Sequence, residues 1–462
     1  MKKNYSRKYS FPFFRTFFYL LVIFLFLLFI AAKTQAQNWE ALGLGTNGNV
    51  RAMTVYNGEL IIAGDFTSTG GLSANRIAKW NGISWQPLGL GVNGPVYAIT
   101  VFNGELIVAG NFTQVGGVSA SRIARWNGGN WLLMGSGVSV NNEVLALAVY
   151  NNSLYAAGRF TSIGGVGINR ISRWSSGSWI PLGLGLNEHA HSLAVYSGEL
   201  YVCGNFTSAG GIGANRIAKW NGSSWSALGL GLNADALTLA VVGSDLYVGG
   251  TFTTVGGVSV NRIAKWNGSW AALGTGMNGT VYSLANYNGQ LLAGGEFTSA
   301  GGIGTNRIAR WNGSSWSALS SGMSGGAPIQ VLAISVFNTL PYAGGDFSNA
   351  GGVTVNNIAR WGNTTGITII GNEVPGSHKL YQNYPNPFNP STKIRFDVPD
   401  AGFVSLKIYD NLGRVVRVPV NENLSSGKYE VLFDAGNLSA GVYYYELIAG
   451  NFKNTKKLVL AK

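Results

Sequence analysis

The chain has 462 residues, with 32 Lys plus Arg against 19 Asp plus Glu, three His and one Cys. That is long for one ordinary domain, the lone cysteine excludes an intramolecular disulfide, and three histidines leave few candidates for acid–base or nucleophilic catalysis. The formal charge of +13 first suggests nucleic acid, but six basic residues lie at or before Lys33, and residues 37–370 hold 15 basic and 11 acidic residues; so mild an excess does not imply a nucleic-acid partner.

Met1–Gln37 carries Lys2, Lys3, Arg7, Lys8 and Arg15, then the apolar run Phe17–Ala32, then Thr34-Gln35-Ala36. This is the pattern of a secretory signal peptide over residues 1–36, cleaved after Ala36. The run of 16 residues falls short of the ~20 that a spanning helix needs, which argues against a retained anchor.

From Asn38 to Trp361 the chain repeats itself. Trp followed by Leu-Gly or a close variant recurs at Trp39, Trp85, Trp131, Trp179, Trp225, Trp270 and Trp316, at spacings of 45 to 48 residues. A second tryptophan closes NRIAKW or a near copy at Trp80, Trp126, Trp174, Trp220, Trp266, Trp311 and Trp361. Several glycines in every unit would break a helix, so the repeat reads as four strands per unit, the signature of β-propeller blades. In the second unit, VYAITVF (Val96–Phe102) alternates and is β-branched. Asn103-Gly104 is a hairpin turn signal. ELIVAGNF (Glu105–Phe112), a glycine-rich loop, RIARW (Arg122–Trp126) and WLLMG complete strands a to d. The a–b and c–d turns fall on one face, the b–c loops and d-to-a crossings on the other.

Seven a–b–c sets begin at Val50, Val96, Val144, Ala190, Ala236, Val281 and Val331, but the first Trp-x-x-Leu strand precedes all of them and none follows Trp361. The expected fold of residues 37–362 is therefore an all-β, seven-bladed β-propeller in which Trp39–Leu42 supplies the outer strand of the last blade. Such closure removes unpaired sheet edges. Cys203 stands where other units have Ala63, Ala109, Ala157 and Gly249, and reads as a small buried residue.

A propeller enzyme places charged or metal-binding groups at the loop-face end of its inner strands. Here the starting residues, Val50 through Val331, are apolar or small. The departures are Arg51, His189 and His191 with Glu188, and Asp235, which are the ligand-binding candidates. Histidines two apart on a strand have metal-ligand spacing, but His191 fills the place of Tyr97 and Tyr282, and a third ligand would have to be assumed. No metal, cofactor or catalytic residue is assigned; no GxSxG nucleophile elbow is read, and HExxH and P-loop motifs are absent. The residue before the recurring Phe (Asp65, Asn111, Arg159, Asn205, Thr251, Glu296, Asp346) varies too much to be a repeated calcium site. Arg76, Arg122, Arg170, Arg216, Arg262 and Arg307 open strand c, with Asn357 in the seventh unit. They could form a basic ring for an anionic polysaccharide. The reading preferred here is architectural: guanidiniums satisfying carbonyls of the b–c loop and bridging blades. The paired tryptophans read as blade-to-blade packing.

After Trp361 the composition shifts. Residues 363–379 read as a linker, and from Leu380 alternating runs such as VSLKIYD and YEVLFD, separated by Gly, Asn and Ser turns, predict a small antiparallel β-sandwich. YPNPFNP (Tyr384–Pro390), IRFDVP (Ile394–Pro399), IYDNLGR (Ile408–Arg414), GVYYYEL (Gly441–Leu447) and KKLVLAK (Lys456–Lys462) closely resemble the C-terminal sorting domain of the type IX secretion system of Bacteroidetes, over residues 380–462. The resemblance implies export by the signal peptide, then passage across the outer membrane by the secretion machinery. It also implies removal of the domain by a sortase-like peptidase. More loosely, ELYVCGNFTSAGG and NRIAKWNGSSW resemble kelch-like repeats of bacterial surface proteins.

The expected function is a secreted bacterial propeller, at the cell surface or in the medium, acting as a non-catalytic binding or structural module with a polysaccharide or surface protein as its ligand. The alternative is an extracellular polysaccharide-active enzyme with its site at the loop-face mouth. Propellers serve both uses.

Overall fold

The computed structural model describes residues 37–461 except 83, 136–139, 327, 364–366, 372 and 436–437; the expected signal peptide lies outside the described residues. The described chain is all-β. Repeated four-stranded antiparallel sheets, as in propeller blades, are followed by two more four-stranded sheets at the C-terminal end. Among the described residues no helix is long and apolar enough to cross a membrane.

The second repeat shows how each sheet arises. Val96–Phe102, Glu105–Gly110, Ile123–Trp126 and Trp131–Leu133 pair in that order. Asn103 (φ 50°) and Gly104 (φ 76°) both take the positive φ that the two-residue turn requires. The second strand reads as one continuous apolar run because both of its faces are covered. Leu106 and Val108 pack with Ile61 and Ala63 of the preceding repeat, while Ile107 and Ala109 pack with Val144 and Ala156 of the following one. Successive side chains of a strand point to opposite faces, so each sheet is glued to two neighbours.

The strand Gln37–Ala41 pairs with Ile358–Asn363, Trp39 opposite Trp361, and completes the sheet of Gln330–Phe337 and Leu340–Asp346. Glu40 forms an ion pair with Arg360, and the Trp39 indole N–H donates to the Leu319 carbonyl at 3.0 Å. Phe337, Tyr342 and Ile358 of this sheet share an apolar cluster with Val50, Leu60 and Ile62 of the first repeat. Cys203 is fully buried and unbridged; burial raises its thiol pKa, consistent with an inert packing residue.

The stretch read as a linker is not free of structure. Ile367–Gly371 pairs with Gly427–Asp434 as an edge strand of a C-terminal sheet. The alternation in GITII is short and its partner lies far along the chain, so local pattern alone does not reveal it. That sheet continues through Ser391–Val398 to Lys379–Leu380, and the other runs Val415–Leu424, Gly402–Tyr409, Gly441–Ala449, Phe452–Leu460. Ile394, Phe396 and Val431 of the first share one core with Leu406, Ile408, Leu447 and Leu458 of the second.

Candidate functional site

Each first strand of the seven repeats shifts register at its second residue, or at its third in Gln330–Phe337, as between Val50 and Ala52 or Ala190 and Ser192. A β-bulge there inserts one residue and re-aims the side chain: Arg51, Tyr97, Leu145, His191, Leu237, Tyr282 and Leu332, all half-buried. The residues expected at this end of the strand, Val50, Val96, Val144, Ala190, Ala236, Val281 and Val331, are instead fully buried. The bulge moves the presented position one residue on. It depends on the glycine ending the second strand: a Cβ at Gly204 would collide with the His189 carbonyl oxygen, so only glycine allows the approach.

In the first, fourth and sixth repeats the bulge residue meets the residue that precedes the recurring Phe, 14 positions later. Arg51 Nε donates to both carboxylate oxygens of Asp65 at 2.8 Å, and its guanidinium lies 5.6 Å from the centre of the Tyr97 ring. Burial alone would lower the Arg51 pKa, but Asp65 outweighs it and holds the group above its ordinary value. His191 Nε2 is bonded to Asn205 Oδ1, and burial pushes the imidazole below its ordinary range. The Tyr282 hydroxyl donates to Glu296 at 3.1 Å and Thr280 does so at 2.5 Å; burial and the carboxylate raise the phenol. In the third repeat Arg159 pairs with Glu143 at 3.0 Å, and Asn111 donates to the same carboxylate at 3.3 Å.

Of the four candidates, Arg51 and His191 are bulge residues, while His189 and Asp235 immediately precede Ala190 and Ala236. The two histidines go to different partners: His189 Nε2 is 3.5 Å from Glu188, and His191 faces Asn205. Arg159, Asp235 and His189 all act electrostatically on His191. Asp235 accepts from the Thr251 amide at 2.9 Å through its carbonyl. Among the described residues no three His, Cys, Asp or Glu side chains are placed to hold a metal ion. Sequence reasoning missed Tyr97, Tyr282, Glu143 and Arg159 as members of this collar. The sequence had set both tyrosines at the place of His191, and taking that place as the presented one would have found them.

The arginines that open the third strand serve the backbone. Arg76, Arg122, Arg170, Arg216, Arg262 and Arg307 all have positive φ, as has Asn357. Each amide donates to the carbonyl of the recurring Phe, as Arg122 does to Phe112 at 2.9 Å. Arg122 and Arg262 donate to the carbonyls of Val140 and Met277 at 2.6 and 3.0 Å, and Asn357 donates to Thr46 at 2.8 Å. These acceptors lie in the crossing that enters the next sheet. The guanidiniums of Arg122 and Arg262 thus bridge sheets, but not through the b–c loop carbonyls expected of them, while the Nε atoms of Arg76, Arg170, Arg216 and Arg307 are buried without a hydrogen-bond partner. The fourth-strand tryptophans reach the other way: Trp85, Trp131, Trp225 and Trp316 donate to Leu42, Leu88, Leu182 and Leu273 of the preceding repeat at 2.9–3.0 Å.

At the C-terminal end the loop Tyr384–Pro390 lies along the terminal strand Phe452–Leu460. The Phe388 amide donates to Val459 and its carbonyl accepts from Ala461, both at 2.9 Å. Asn386 Oδ1 accepts from the Val459 amide at 2.8 Å. The Asn383 side-chain amide donates to the Thr392 hydroxyl at 3.0 Å, and its backbone amide donates to the Tyr445 hydroxyl at 2.8 Å. The loop thereby covers an edge that would otherwise stand open.

Residues 382–461 match the secretion system C-terminal sorting domain family. This is a type IX secretion sorting domain. The chain is accordingly a secreted protein of the cell surface or the extracellular medium, and its sorting domain engages the type IX machinery. Residues 57–81, 103–128 and 288–314 match a β-propeller domain of unknown function, DUF5122. Among solved structures the chain is similar to PorZ, a bacterial surface component of the type IX secretion system of Porphyromonas gingivalis, with 15% identity, a TM-score of 0.39, and coverage of 89% of this chain and 70% of that one. It is also similar to an α-L-arabinofuranosidase of Clostridium thermocellum, with 15% identity, a TM-score of 0.24, and coverage of 47% and 88%. Likenesses this distant carry no argument about the chain beside its sorting domain. No curated protein matches.

Proposed function

We propose that the sorting domain delivers a closed ring of seven blades to the outside of the cell, and that the ring is a non-catalytic binding or structural module. The bulge collar is its ligand-facing end. Closure is supported by the pairing of Gln37–Ala41 with Ile358–Asn363 and by the packing of Val50–Tyr56 against Gln330–Phe337. The observation that carries the binding reading is the collar itself. It recurs at one end of all seven first strands, yet its side chains differ from repeat to repeat, whereas residues that hold sheets together recur nearly unchanged. Two tyrosine rings, an imidazole and hydrogen-bonded carboxylate–guanidinium pairs suit a polysaccharide or a surface protein better than a polyanion. Arg51, His189, His191 and Asp235 belong to this end. Removal of the sorting domain by a sortase-like peptidase would complete delivery.

The test is a screen of the purified secreted protein against a panel of polysaccharides and surface proteins, with reducing-end release measured in parallel. Binding that falls about tenfold in a Tyr97→Ala, Tyr282→Ala variant, equivalent to ~1.4 kcal/mol, without release of reducing ends, supports the reading. Turnover of a bound polysaccharide abolished by Glu296→Gln would instead identify an extracellular polysaccharide-active enzyme.

A further inference from the structure

Residues 37–370 hold 15 basic residues. Seven of them sit in ion pairs with carboxylates, Arg310 donates to the Ser317 hydroxyl at 3.4 Å, and Arg173 meets the Tyr155 phenol. The six that remain are Arg76, Arg122, Arg170, Arg216, Arg262 and Arg307. Among the described residues none of these six has a carboxylate partner, so the unneutralised cations of the repeats collect at one place in each sheet.

Recurrence marks parts that hold sheets together, and the backbone of these residues does so: each amide bonds to the recurring Phe. The side chain is a separate matter. Each arginine has a φ of 62–70°, a region that few residues other than Gly adopt and in which Asn is several-fold enriched. The seventh repeat shows the less strained solution, since Asn357 takes a φ of 62° and itself bridges to the Thr46 carbonyl at 2.8 Å. Neither the turn nor the bridge therefore calls for arginine. Only Arg122 and Arg262 bridge with theirs. In Arg76, Arg170, Arg216 and Arg307 the side chain makes no hydrogen bond among the described residues, and Nε is its one enclosed nitrogen. These residues keep partial exposure, so the forked outer end is what solvent reaches.

Their place in the fold is shared with the collar. Ile77 pairs with Ala63, and Gly64 beside it pairs with Val50, so the arginines open at the collar end of each sheet, two strands out, with strands about 4.8 Å apart. Sheets of successive repeats pack face to face, as Ala157 and Ile171 do with Leu200 and Val202, which sets Arg170 and Arg216 on the order of 10 Å apart.

We propose that Arg76, Arg170, Arg216 and Arg307 bind an acidic polysaccharide, at a site separate from the collar. The ring of six as a whole is not the site, because Arg122 and Arg262 are engaged in bridging. A guanidinium fork pairs bidentately with a carboxylate or a similarly forked oxyanion. One free cation to a repeat suits a polymer whose anions are spaced by sugar units. A nucleic acid presents a phosphate every ~3.4 Å along each strand, far more densely, and its bases would need aromatic platforms. The hairpins beside these arginines, such as Thr67–Asn75 and Thr207–Asn215, contain no aromatic residue. The sorting domain sends the chain outside the cell, where such polymers lie.

The purified secreted protein would be titrated with polygalacturonate, dextran sulfate, neutral dextran and single-stranded DNA at low and high salt, with melting followed in parallel. The variant carrying Arg76→Gln, Arg170→Gln, Arg216→Gln and Arg307→Gln is compared with Arg122→Gln, Arg262→Gln, which removes the two bridges, and with a variant placing Lys at the same four positions. The native protein should bind an acidic polysaccharide more tightly than dextran or DNA, and the affinity should fall with salt. The fourfold Gln variant should bind at least tenfold more weakly, equivalent to ~1.4 kcal/mol, at an unchanged melting temperature. The Lys variant, which keeps the charge and loses the fork, should regain part of the affinity. Three results would overturn the proposal: native protein that binds neither acidic polymer or binds dextran or DNA as tightly, a fourfold Gln variant that binds normally, or one that melts lower as the bridge variant does. The last would show that all six side chains hold sheets together.

Discussion

The repeats and the sorting domain answer the same physical problem, an unpaired strand edge, in different ways. In the repeats the outermost strands are short, such as Trp85–Pro87 and Trp131–Leu133, and the outer tryptophans other than Trp179 are hydrogen-bonded to the sheet before them. A short edge offers little to an invading strand, and repetition supplies the covering neighbour. The sorting domain has no such neighbour. Its terminal strand runs nine residues, Phe452–Leu460, and a proline-rich loop is laid along it, with Asn386 and Phe388 bonding to the exposed backbone. Proline has no N–H to leave unpaired in such a position. A structural role is thus visible in the repeats by recurrence, and in the sorting domain only by tracing each residue to its partner.

The sharpest test of the comparison removes an edge strand from each region. Deleting residues 38–43 takes away Trp39 and Leu42, both essentially fully buried. At roughly 2–5 kcal/mol for each large buried side chain, the repeat region should melt far lower and associate through the edge of Ile358–Asn363. Deleting residues 367–371 should lower only the transition of the C-terminal sheets. Calorimetry with light scattering would resolve the two. A monomeric first deletion with unchanged melting would break the closure.

Next in size are the bridging arginines. Arg122→Gln and Arg262→Gln remove donors to the Val140 and Met277 carbonyls, and each should cost roughly 1–3 kcal/mol by chemical denaturation. Stability untouched by both changes would return the arginine ring to consideration as a site for an anionic polymer.

The smallest effect concerns His191. Burial lowers its folded pKa, so the unfolded chain takes up the proton first, near the ordinary value of ~6.5. Stability therefore rises with pH through this window. The contribution is complete above ~6.5 and is lost as pH falls toward the lower folded value. His191→Gln should flatten that part of the melting-temperature curve measured across mildly acid pH. An unchanged slope would place the titration elsewhere.

Much of the fold was legible in the chain because burial on both faces leaves a strong trace. The apolar second strands, the Asn103-Gly104 turn and the Trp-x-x-Leu phrases each announced a local structure that the backbone adopts. The collar was only half legible. Arg51 and His191 stood out as departures, but the bulge that presents them depends on glycine in the neighbouring strand, and Val50 and its counterparts were assigned the place that belongs to the residue after them. The strand Ile367–Gly371 was hidden because its partner comes much later in the chain.

Sequence by itself determined the all-β class, the repeat boundaries, and the sorting address, since turn chemistry, periodicity and a run of ordered phrases are local properties. Only the tertiary structure decided that Arg122 reaches a carbonyl of the next sheet, that Asn386 holds the terminal strand while Tyr384 beside it faces solvent, and that the charges of Arg159 and Asp235 act on His191. Those outcomes depend on which distant backbone atoms and side chains the fold brings within hydrogen-bonding or Coulombic reach, and no local pattern encodes that distance.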